Sequence, residues 1–272
     1  MGSRTIIVTG ASDGIGAALA LTLADQSTNL VLAARNEGKL RDVARQCEDA
    51  GARTHVAGTD VADRSACQAL MERTVAAFGG IDILVNSAGI SMLCRFDEVQ
   101  DLSMFERLIQ VNYLGAVYCT YYALPWLKKS CGLVVAISSL QGKTGFPLYT
   151  GYSASKHAMQ GCFDSLRIEL HGSGVDVLVV SPGPVATSIQ ANRLAGDGKV
   201  PVTKEQQGSG EMHVHECARQ IARAIRGRRR ELVMTVPGKL IGWMKQLAPA
   251  SVDRLVDRAV RRFHGITRPT VS

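Results

Sequence analysis

The sequence predicts a doubly wound α/β fold: one Rossmann-type domain with a parallel sheet of about seven strands, followed by a C-terminal helical extension. Seven short apolar runs are spread along the chain, at residues 5–9, 29–34, 54–58, 81–86, 133–138, 175–181 and 232–236. Most are continuously apolar, as expected of parallel strands that helices cover on both faces. Segments with helical spacing of apolar residues separate them, and this alternation favours a parallel sheet with right-handed crossovers.

The size and composition of the chain agree with a single globular domain. It has 272 residues, of which 46% are hydrophobic and 20% charged, enough for one full core. No run reaches the roughly 18 apolar residues of a membrane-spanning helix, and the first apolar run enters a glycine-rich turn too soon for a signal peptide. The seven cysteines lack paired spacing, so we expect reduced thiols, no metal site and a cytoplasmic protein.

A glycine-rich turn follows the first predicted strand. Gly10, Gly14 and Gly16 lie in the stretch TGASDGIG, directly before a helical pattern. Glycines let the backbone turn tightly and approach a pyrophosphate, and the N-terminus of the helix behind them supplies free N–H groups. The alternative is an ordinary strand–helix turn, but the position at the first strand–helix junction favours dinucleotide binding.

A tyrosine and a lysine are spaced for acid–base chemistry. Tyr152 and Lys156 stand four residues apart at the start of a helical pattern, so both side chains lie on one face. A nearby ammonium favours the phenolate, so we expect Lys156 to lower the pKa of Tyr152. A tyrosine tuned in this way can give a proton to a carbonyl oxygen or take one from an alcohol. Ser139 lies thirteen residues upstream, at the end of a buried strand.

These motifs resemble the short-chain dehydrogenase/reductase family from about residue 5 to about 236. TGASDGIG is similar to its TGxxxGxG cofactor loop, and the NSAG stretch is similar to its NNAG element with Ser87 as the one departure. The resemblance implies a set of cofactor-binding residues: Gly10, Ser12, Asp13, Gly14, Ile15, Gly16, Arg35, Asp60, Val61, Asn86, Ala88, Gly89, Tyr152, Lys156, Pro182, Gly183, Val185 and Thr187.

The resemblance also implies a catalytic set of Asn112, Ser139, Tyr152 and Lys156. In it, Ser139 hydrogen-bonds the substrate oxygen and Asn112 holds a water that links Lys156 to solvent. Ser138 competes with Ser139, because strand alternation points only one of the two into the site. Asn112 can also serve to distort a buried helix, and the two roles are compatible.

The residues after the second strand indicate which cofactor is preferred. An NAD enzyme places a carboxylate at this strand end to bind the ribose 2′-hydroxyl, but Ala34 stands here. Arg35 can place its guanidinium against a 2′-phosphate, and Ser12 can add a hydroxyl. Asp13 argues against strong selectivity. We therefore expect NADP(H) to be favoured over NAD(H), with a solvated arginine as the alternative for Arg35.

The substrate pocket falls in segments that carry no motif. We expect Leu93, Cys94, Phe96, residues 142–148 and a substrate loop over 188–213 to line or cover it. Their apolar content favours a lipophilic ligand, although core packing explains such residues equally well. Residues 191–210 are rich in glycine, lysine and glutamine without a clean period, which predicts a mobile loop.

The extension over 237–272 is predicted to be basic and amphipathic. Residues 219–272 hold thirteen basic and three acidic residues, a balance of +10, whereas the rest of the chain holds eighteen and twenty-one, a balance of −3. Two apolar stripes have helical spacing, the first formed by Leu240, Ile241, Trp243, Met244 and Leu247 and the second by Val252, Leu255, Val256, Ala259, Val260 and Phe263. Such stripes pack on protein or lie on an anionic membrane; we expect protein packing.

Together these features predict an NADP-dependent short-chain dehydrogenase/reductase. It would interconvert a lipophilic ketone and a secondary alcohol, with Tyr152 as acid and base. The resemblance implies a homodimer or homotetramer built on the helices that carry Asn112 and Tyr152. The alternatives are a cofactor-binding regulator or scaffold without catalysis, and a membrane-surface module using the extension; no nucleic acid is expected. Within the family, the 138–156 segment and the extension resemble the hydroxysteroid-dehydrogenase-like and dehydrogenase/reductase member 7-like groups.

Overall fold

A seven-stranded parallel sheet organises the chain, as the sequence predicts. The computed structural model describes residues 3–200 and 211–264. The strands are β1 (Arg4–Thr9), β2 (Thr28–Ala34), β3 (Arg53–Gly58), β4 (Ile83–Asn86), β5 (Leu133–Ile137), β6 (Asp176–Ser181) and β7 (Glu231–Val233). They lie in the order β3-β2-β1-β4-β5-β6-β7, and all neighbours pair in parallel. The order reverses between β1 and β4, which opens a crevice at the carboxyl ends of these two strands.

Helices cover both faces of the sheet. They are α1 (Gly14–Leu23), α2 (Glu37–Asp49), α3 (Arg64–Phe78), α4 (Ser103–Ile109), α5 (Gly115–Ser130), α6 (Thr150–Glu169), α7 (Ser188–Ala191), α8 (Val214–Arg226), α9 (Val236–Leu247) and α10 (Pro249–His264). Side chains alternate along each strand, so Ile6 and Val8 pack with α1, α2 and α8, whereas Ile7 packs with α3, α5 and α6. Burial on both faces explains why the strands are continuously apolar.

The seventh strand is shorter than predicted. It ends at Val233, and α9 begins at Val236, which the apolar run had placed in the strand. Thr235 explains the difference, because its hydroxyl accepts a hydrogen bond from the Gly238 N–H at 3.1 Å and caps the helix. Other strand boundaries shift by one or two residues; for example, β4 begins at Ile83 rather than at Ile81, and β5 ends at Ile137 rather than at Ser138.

The C-terminal extension packs partly on the domain. Three valines of α10, spaced four residues apart, are buried: Val252, Val256 and Val260. They pack with Phe146 and Leu148 from the segment before α6, and with Ile241 of α9. The other apolar stripe is mostly outside this contact, because Leu240, Met244 and Leu247 are 54%, 40% and 86% exposed. In the described part of the chain, no helix is long and apolar enough to span a bilayer.

Part of the predicted mobile loop contacts the segment after β4. The Leu194 N–H donates to Ser91 O, and the Leu93 N–H donates to Leu194 O, both at 2.9 Å. Leu194 itself is buried. Residues 192–200 of the loop are thus bonded to the segment after β4, and the mobility of the loop stays a prediction. Residues 201–210 of the prediction lie outside the described residues.

Candidate active site

The glycine turn forms a cradle between β1 and α1. Gly10 and Gly14 have φ values of +67° and +57°, which glycine adopts without strain. A Cβ on Gly10 would lie 2.8 Å from the Ala88 Cα, and one on Gly16 would collide with the Gly10 carbonyl oxygen. Only glycine can therefore occupy these two positions, where the turn packs tightly on itself and on the residues that follow β4. The N-terminus of α1 points at the crevice, as a phosphate group would require.

Thr9 joins the two sides of this crevice, a role that the motifs do not indicate. Its Oγ1 accepts hydrogen bonds from the N–H groups of Ser87 and Ala88, at 3.0 and 3.2 Å, and donates to Val85 O at 3.3 Å. Asn86 is buried beside it and donates to Thr120 Oγ1 at 3.0 Å. The end of β4 is thereby fixed against the end of β1.

A lysine stands beside the acidic residue of the glycine turn. Asp13 caps α1 by accepting from the Gly14 N–H at 2.6 Å, and its other carboxylate oxygen lies 2.8 Å from Lys39 Nζ. Burial raises the pKa of Asp13, but hydrogen bonds from Lys39, Gly14 and Ser188 outweigh burial and hold the pKa below its ordinary value. Arg35 is exposed at the end of β2. Two cations therefore flank this side of the crevice, and sequence reasoning missed Lys39.

The remaining expected cofactor residues surround the same crevice. Asp60 and Val61 follow β3, and a Cβ on Gly115 would lie only 2.9 Å from the Val61 side chain. After β6, Pro182 O accepts from the Leu140 N–H at 3.0 Å. A Cβ on Gly14 would lie 3.4 Å from Thr187 Cβ, which places Thr187 above the glycine turn. The structure also places Ser12, Ile15, Ala88, Gly89, Gly183 and Val185 at or next to these strand ends.

The two serines after β5 point in different directions. Ser138 is buried and its Oγ donates to the Lys156 carbonyl oxygen at 3.4 Å, behind the site. Ser139 is hydrogen-bonded to Tyr152 through its side chain, and its Oγ also accepts from the Gln141 N–H at 3.1 Å. Ser139, rather than Ser138, is therefore the serine beside the tyrosine hydroxyl.

Tyr152 and Lys156 lie on one face of α6. Lys156 Nζ lies 5.7 Å from the centroid of the Tyr152 ring and donates to Ile137 O at 2.8 Å. Burial raises the pKa of Tyr152 to about 12, with the hydrogen bond to Ser139 opposing the rise. Burial also lowers the pKa of Lys156 to about 8. The expected lowering of the Tyr152 pKa by Lys156 is thus wrong for this structure, because desolvation of the phenolate dominates.

Asn112 lies in a single π-helical turn, residues Gln110–Leu114, between α4 and α5. Its Oδ1 accepts from the Ile90 N–H at 2.8 Å, and its Nδ2 donates to Ile90 O and Ser155 Oγ, both at 2.9 Å. Ser155 Oγ in turn donates to Tyr152 O at 2.7 Å. The Asn112 amide therefore joins the π-helical turn to the segment after β4 and to α6. This contact agrees with a role of Asn112 in distorting the helix, and the water relay stays a prediction.

Comparison with known proteins identifies the family. The family model for short chain dehydrogenase matches residues 4–198, which is most of the chain. The chain belongs to the short-chain dehydrogenase/reductase family. The resemblance drawn from the glycine turn and the tyrosine–lysine pair is confirmed, and so is the fold class. The family makes the protein an oxidoreductase.

Named relatives refine the position within the short-chain dehydrogenases/reductases. An 11-beta-hydroxysteroid dehydrogenase of Pinus massoniana is 33% identical over 81% of this chain and 64% of its own length, so this chain spans less than two thirds of it. Dehydrogenase/reductase SDR family member 7B of Bos taurus is 33% identical over 96% of this chain and 82% of its own length. An alcohol dehydrogenase of the archaeon Thermococcus sibiricus, complexed with 5-hydroxy-NADP, superposes with a TM-score of 0.73 at 25% identity, covering 85% of this chain and 96% of that chain.

One polar cluster beside Tyr152 lies outside the cofactor and catalytic motifs of the short-chain dehydrogenase/reductase family. Tyr149 contacts Arg193 and His264 through its hydroxyl, and its ring lies edge-on to that of Tyr152. The three residues come from the start of α6, the segment after α7 and the end of α10. The sequence carries no local signal for them, because they are brought together only by the fold.

Proposed function

We propose that the protein transfers hydride between NADP(H) and a lipophilic ketone or secondary alcohol, with Tyr152 as the general acid and base. The observation that carries this proposal is the convergence of Ser139, Tyr152 and Lys156 beside the glycine cradle. A regulator or scaffold without catalysis would not need this arrangement. We propose that all four expected residues, Asn112, Ser139, Tyr152 and Lys156, serve catalysis.

The crevice fits a dinucleotide. The glycine turn leaves no room for a Cβ where the backbone must approach a pyrophosphate, and the N-terminus of α1 begins directly behind this turn. Gly10, Gly14 and Gly16 would hold the diphosphate, Asp60 and Val61 the adenine, and the residues from Pro182 to Thr187 the nicotinamide. When bound, the nicotinamide supplies the hydride acceptor or donor.

A preference for NADP(H) is supported by the charges at the end of β2. Ala34 offers no carboxylate to a ribose 2′-hydroxyl, and Arg35 is exposed beside it. The acidic residue that argues for weak selectivity, Asp13, is paired with Lys39 at 2.8 Å. A 2′-phosphate would therefore meet a net positive surface formed by Arg35 and Lys39, with the Ser12 hydroxyl as a further donor.

The phenol is suited to donate a proton. With a pKa raised to about 12, Tyr152 is protonated at neutral pH, and a protonated phenol is the form that reduction of a ketone needs. Ser139 shares a hydrogen bond with this phenol and would hold the substrate oxygen within reach of it. Lys156, whose pKa is lowered to about 8, retains its charge at neutral pH and favours the phenolate that forms when the proton leaves.

A lipophilic substrate is supported by the surroundings of Tyr152 and by the relatives. Tyr152 packs against an apolar cluster that contains Met92, Cys94 and Leu194. The pine relative is named for oxidation of an 11β-hydroxysteroid. We propose that the substrate is a steroid-like or comparably apolar ketone or alcohol, admitted beside the predicted substrate loop over 188–213.

The deciding experiment follows nicotinamide absorbance with NADP(H) and NAD(H) over a panel of carbonyl and alcohol probes. The panel holds an 11-ketosteroid, its 11β-alcohol, cyclohexanone and 2-octanone. We expect turnover with NADP(H) at a KM at least about tenfold below that for NAD(H). Tight NADPH binding without turnover of any probe would instead favour a cofactor-binding regulator without catalysis. Absence of nucleotide binding would overturn both the oxidoreductase and the regulator hypotheses.

Self-association through α5 and α6 is part of the proposal. Tyr121 on α5 and Ile168 on α6 are 71% and 74% exposed, although both side chains are large and mostly apolar. Exposed side chains of this kind on two helices that cover the same face of the sheet favour an interface between subunits. We propose a homodimer or homotetramer, to be tested by light scattering of the wild-type protein and of Ile168→Asp, which should dissociate.

A second candidate function is contact with a membrane surface through α9. Its exposed face holds Leu240, Met244 and Leu247, in a part of the chain with an excess of basic residues. An apolar face flanked by cations fits the surface of an anionic bilayer. Sedimentation with phosphatidylserine vesicles tests it: binding should weaken with salt and with Leu247→Asp, and a protein that stays in the supernatant in low salt excludes it. We propose a cytoplasmic protein with, at most, this peripheral contact.

A further inference from the structure

Tyr149 belongs to the same rigid unit as the proposed catalytic tyrosine. It precedes α6 directly, and its carbonyl oxygen accepts from the Ser153 N–H at 2.7 Å, within the first turn of the helix. The Tyr149 and Tyr152 rings lie 6.5 Å apart between centroids at an interplanar angle of 61°. This edge-to-face contact means that the position of one ring constrains the other.

The Tyr149 hydroxyl joins this unit to two other elements. It lies 2.9 Å from Arg193 Nη1 and 2.9 Å from His264 Nε2. Since a guanidinium only donates hydrogen bonds, the phenol oxygen accepts from Arg193 and can give its own proton to His264. Tyr149 and Arg193 are only 8% and 7% exposed, so the bond between them forms away from solvent, where polar contacts position groups most strongly, whereas the bond to His264 is partly buried.

Arg193 is part of a fixed wall rather than a free loop. Its Nε donates to Gln190 O at 2.7 Å. The next residue, Leu194, bonds through its backbone to the segment after β4. That segment returns to the start of α6, because the Cys94 N–H donates to Leu148 O at 3.1 Å. The segment after α7, the segment after β4 and the start of α6 are therefore linked to one another, and Tyr149 completes the link through Arg193.

His264 brings the end of α10 to the same point. The helix lies on Phe146 and Leu148 through Val252, Val256 and Val260, and its last residue reaches the Tyr149 hydroxyl. The helix is thus held by apolar packing along its length and by a polar contact at its end. Loss of that contact should therefore weaken the hold of the last turn of α10 on the start of α6.

We propose that Tyr149 is a positioning residue, whose hydroxyl holds the C-terminal helix α10 and the segment after α7 as walls of the substrate cleft beside Tyr152. This inference rests on the proposed function. The proton-transfer groups keep their own contacts, Ser139 with Tyr152 and Lys156 with Ile137 O. Loss of the Tyr149 hydroxyl should therefore weaken substrate binding and leave the chemical step nearly unchanged.

A double-mutant cycle on Tyr149 and His264 tests this role. Tyr149→Phe keeps the ring against Tyr152 and removes only the hydroxyl, and His264→Ala removes the partner on α10. We expect each variant to raise KM at least about tenfold for whichever of 11-ketosteroid, cyclohexanone and 2-octanone the wild type reduces, with kcat within about threefold. The double variant should raise KM no further than the larger single effect, because Tyr149→Phe already removes the hydroxyl through which His264 acts on the cleft. Unchanged KM values, or effects that multiply, overturn the proposal.

Hydrogen–deuterium exchange supplies a readout that does not depend on turnover. With NADPH present, amides in the last turns of α10 should exchange at least about threefold faster in Tyr149→Phe than in the wild type. Tyr122→Phe on α5 is the matched control, because it too removes a phenol hydroxyl with a hydrogen bond, here from Arg64 Nε at 2.9 Å, and it should change neither exchange nor KM. Should the wild type reduce none of the probes, the proposed function fails while exchange still decides this inference: faster exchange supports it and unchanged exchange overturns it.

Discussion

Lys156 lies one helical turn after Tyr152, with its Nζ 5.7 Å from the centroid of the phenol ring. Burial acts on both groups, raising the pKa of Tyr152 to about 12 and lowering that of Lys156 to about 8. At neutral pH the folded protein therefore holds a neutral phenol beside a charged, buried ammonium. The charge serves the proposed chemistry, and its burial costs stability.

The first prediction concerns this cost. The unfolded chain binds the Lys156 proton more tightly, because the folded pKa is about 8 against 10.5 for a free lysine. The penalty, roughly 3 kcal/mol, is thus fully present below pH 8 and is relieved as pH rises toward 10.5. Lys156→Met should raise Tm by about 4 °C or more at pH 7, after allowing for the lost bond to Ile137 O. This advantage should shrink by pH 9.5, while turnover is lost at both.

The control for that prediction is Lys128→Met, an exposed lysine near the end of α5. It should leave Tm unchanged at both pH values. Tyr152 does not interfere, because its raised pKa changes stability only above pH 10. A Lys156→Met protein that is less stable at pH 7 than the wild type would show that the bond to Ile137 O outweighs the burial of the charge.

The second prediction concerns the acid. Tyr152→Phe should lower kcat at least about a thousandfold, since phenylalanine has no hydroxyl proton to give to the substrate oxygen. NADPH affinity, measured by fluorescence titration, should stay within about threefold. If more than about a tenth of kcat remains under conditions where chemistry limits the rate, Tyr152 is not the acid.

The third prediction separates the two serines after β5. Ser139→Ala should lower kcat about a hundredfold, because its hydroxyl shares a hydrogen bond with Tyr152 and would hold the substrate oxygen. Ser138→Ala removes a bond to the Lys156 carbonyl oxygen, so it should cost about 1 kcal/mol of stability with little change in kcat. Steady-state rates and thermal melts of the pair measure this contrast, and a reversed order would assign the role to Ser138.

The fourth prediction concerns cofactor choice. Arg35→Asp should weaken NADP(H) far more than NAD(H), because it replaces a partner of the 2′-phosphate with a like charge. Lys39→Met should do the same to a smaller extent, since it leaves Asp13 without its cation. Arg41→Asp, on α2 and one turn after its ion-pair partner Glu37, is the control and should affect both cofactors equally. Equal Kd changes for the two cofactors in Arg35→Asp would remove Arg35 from the site.

The fold and the first contacts of the site follow from local patterns. Buried parallel strands are recognisable because both faces are apolar, and the spacing of Tyr152 and Lys156 on one helix face requires only the helical period. The same reasoning extended β7 too far, because an apolar run does not distinguish a strand end from a helix start. The Thr235 cap marks that boundary.

The rest depends on contacts between distant parts of the chain. Tyr149 lies 44 residues from Arg193 and 115 from His264, so no local pattern encodes their cluster. The choice between Ser138 and Ser139 needed the direction of each side chain. The sign of the Tyr152 pKa shift also depends on burial, which outweighs the charge of the neighbouring lysine that the sequence makes visible.

The last prediction tests the packing of α10 with two adjacent residues. Val256 is 4% exposed and contributes to the contact with Phe146 and Leu148, whereas Leu255 is 49% exposed on the same helix. Val256→Asp removes apolar burial and forces a carboxylate against these side chains, at a cost of roughly 3 kcal/mol. We expect Tm to fall by about 6 °C or more. KM should rise as well, because the wall beside Tyr152 loses its support.

Leu255→Asp should change Tm by less than about 2 °C, because its carboxylate stays in water. The comparison is sharp since both variants add the same charge to the same turn of helix and differ only in the face that receives it. Equal, small effects of the two substitutions would mean that α10 does not pack on the domain in solution. In that case its valines must be covered by something else, and loss of vesicle binding in Val256→Asp would identify the anionic bilayer as the partner.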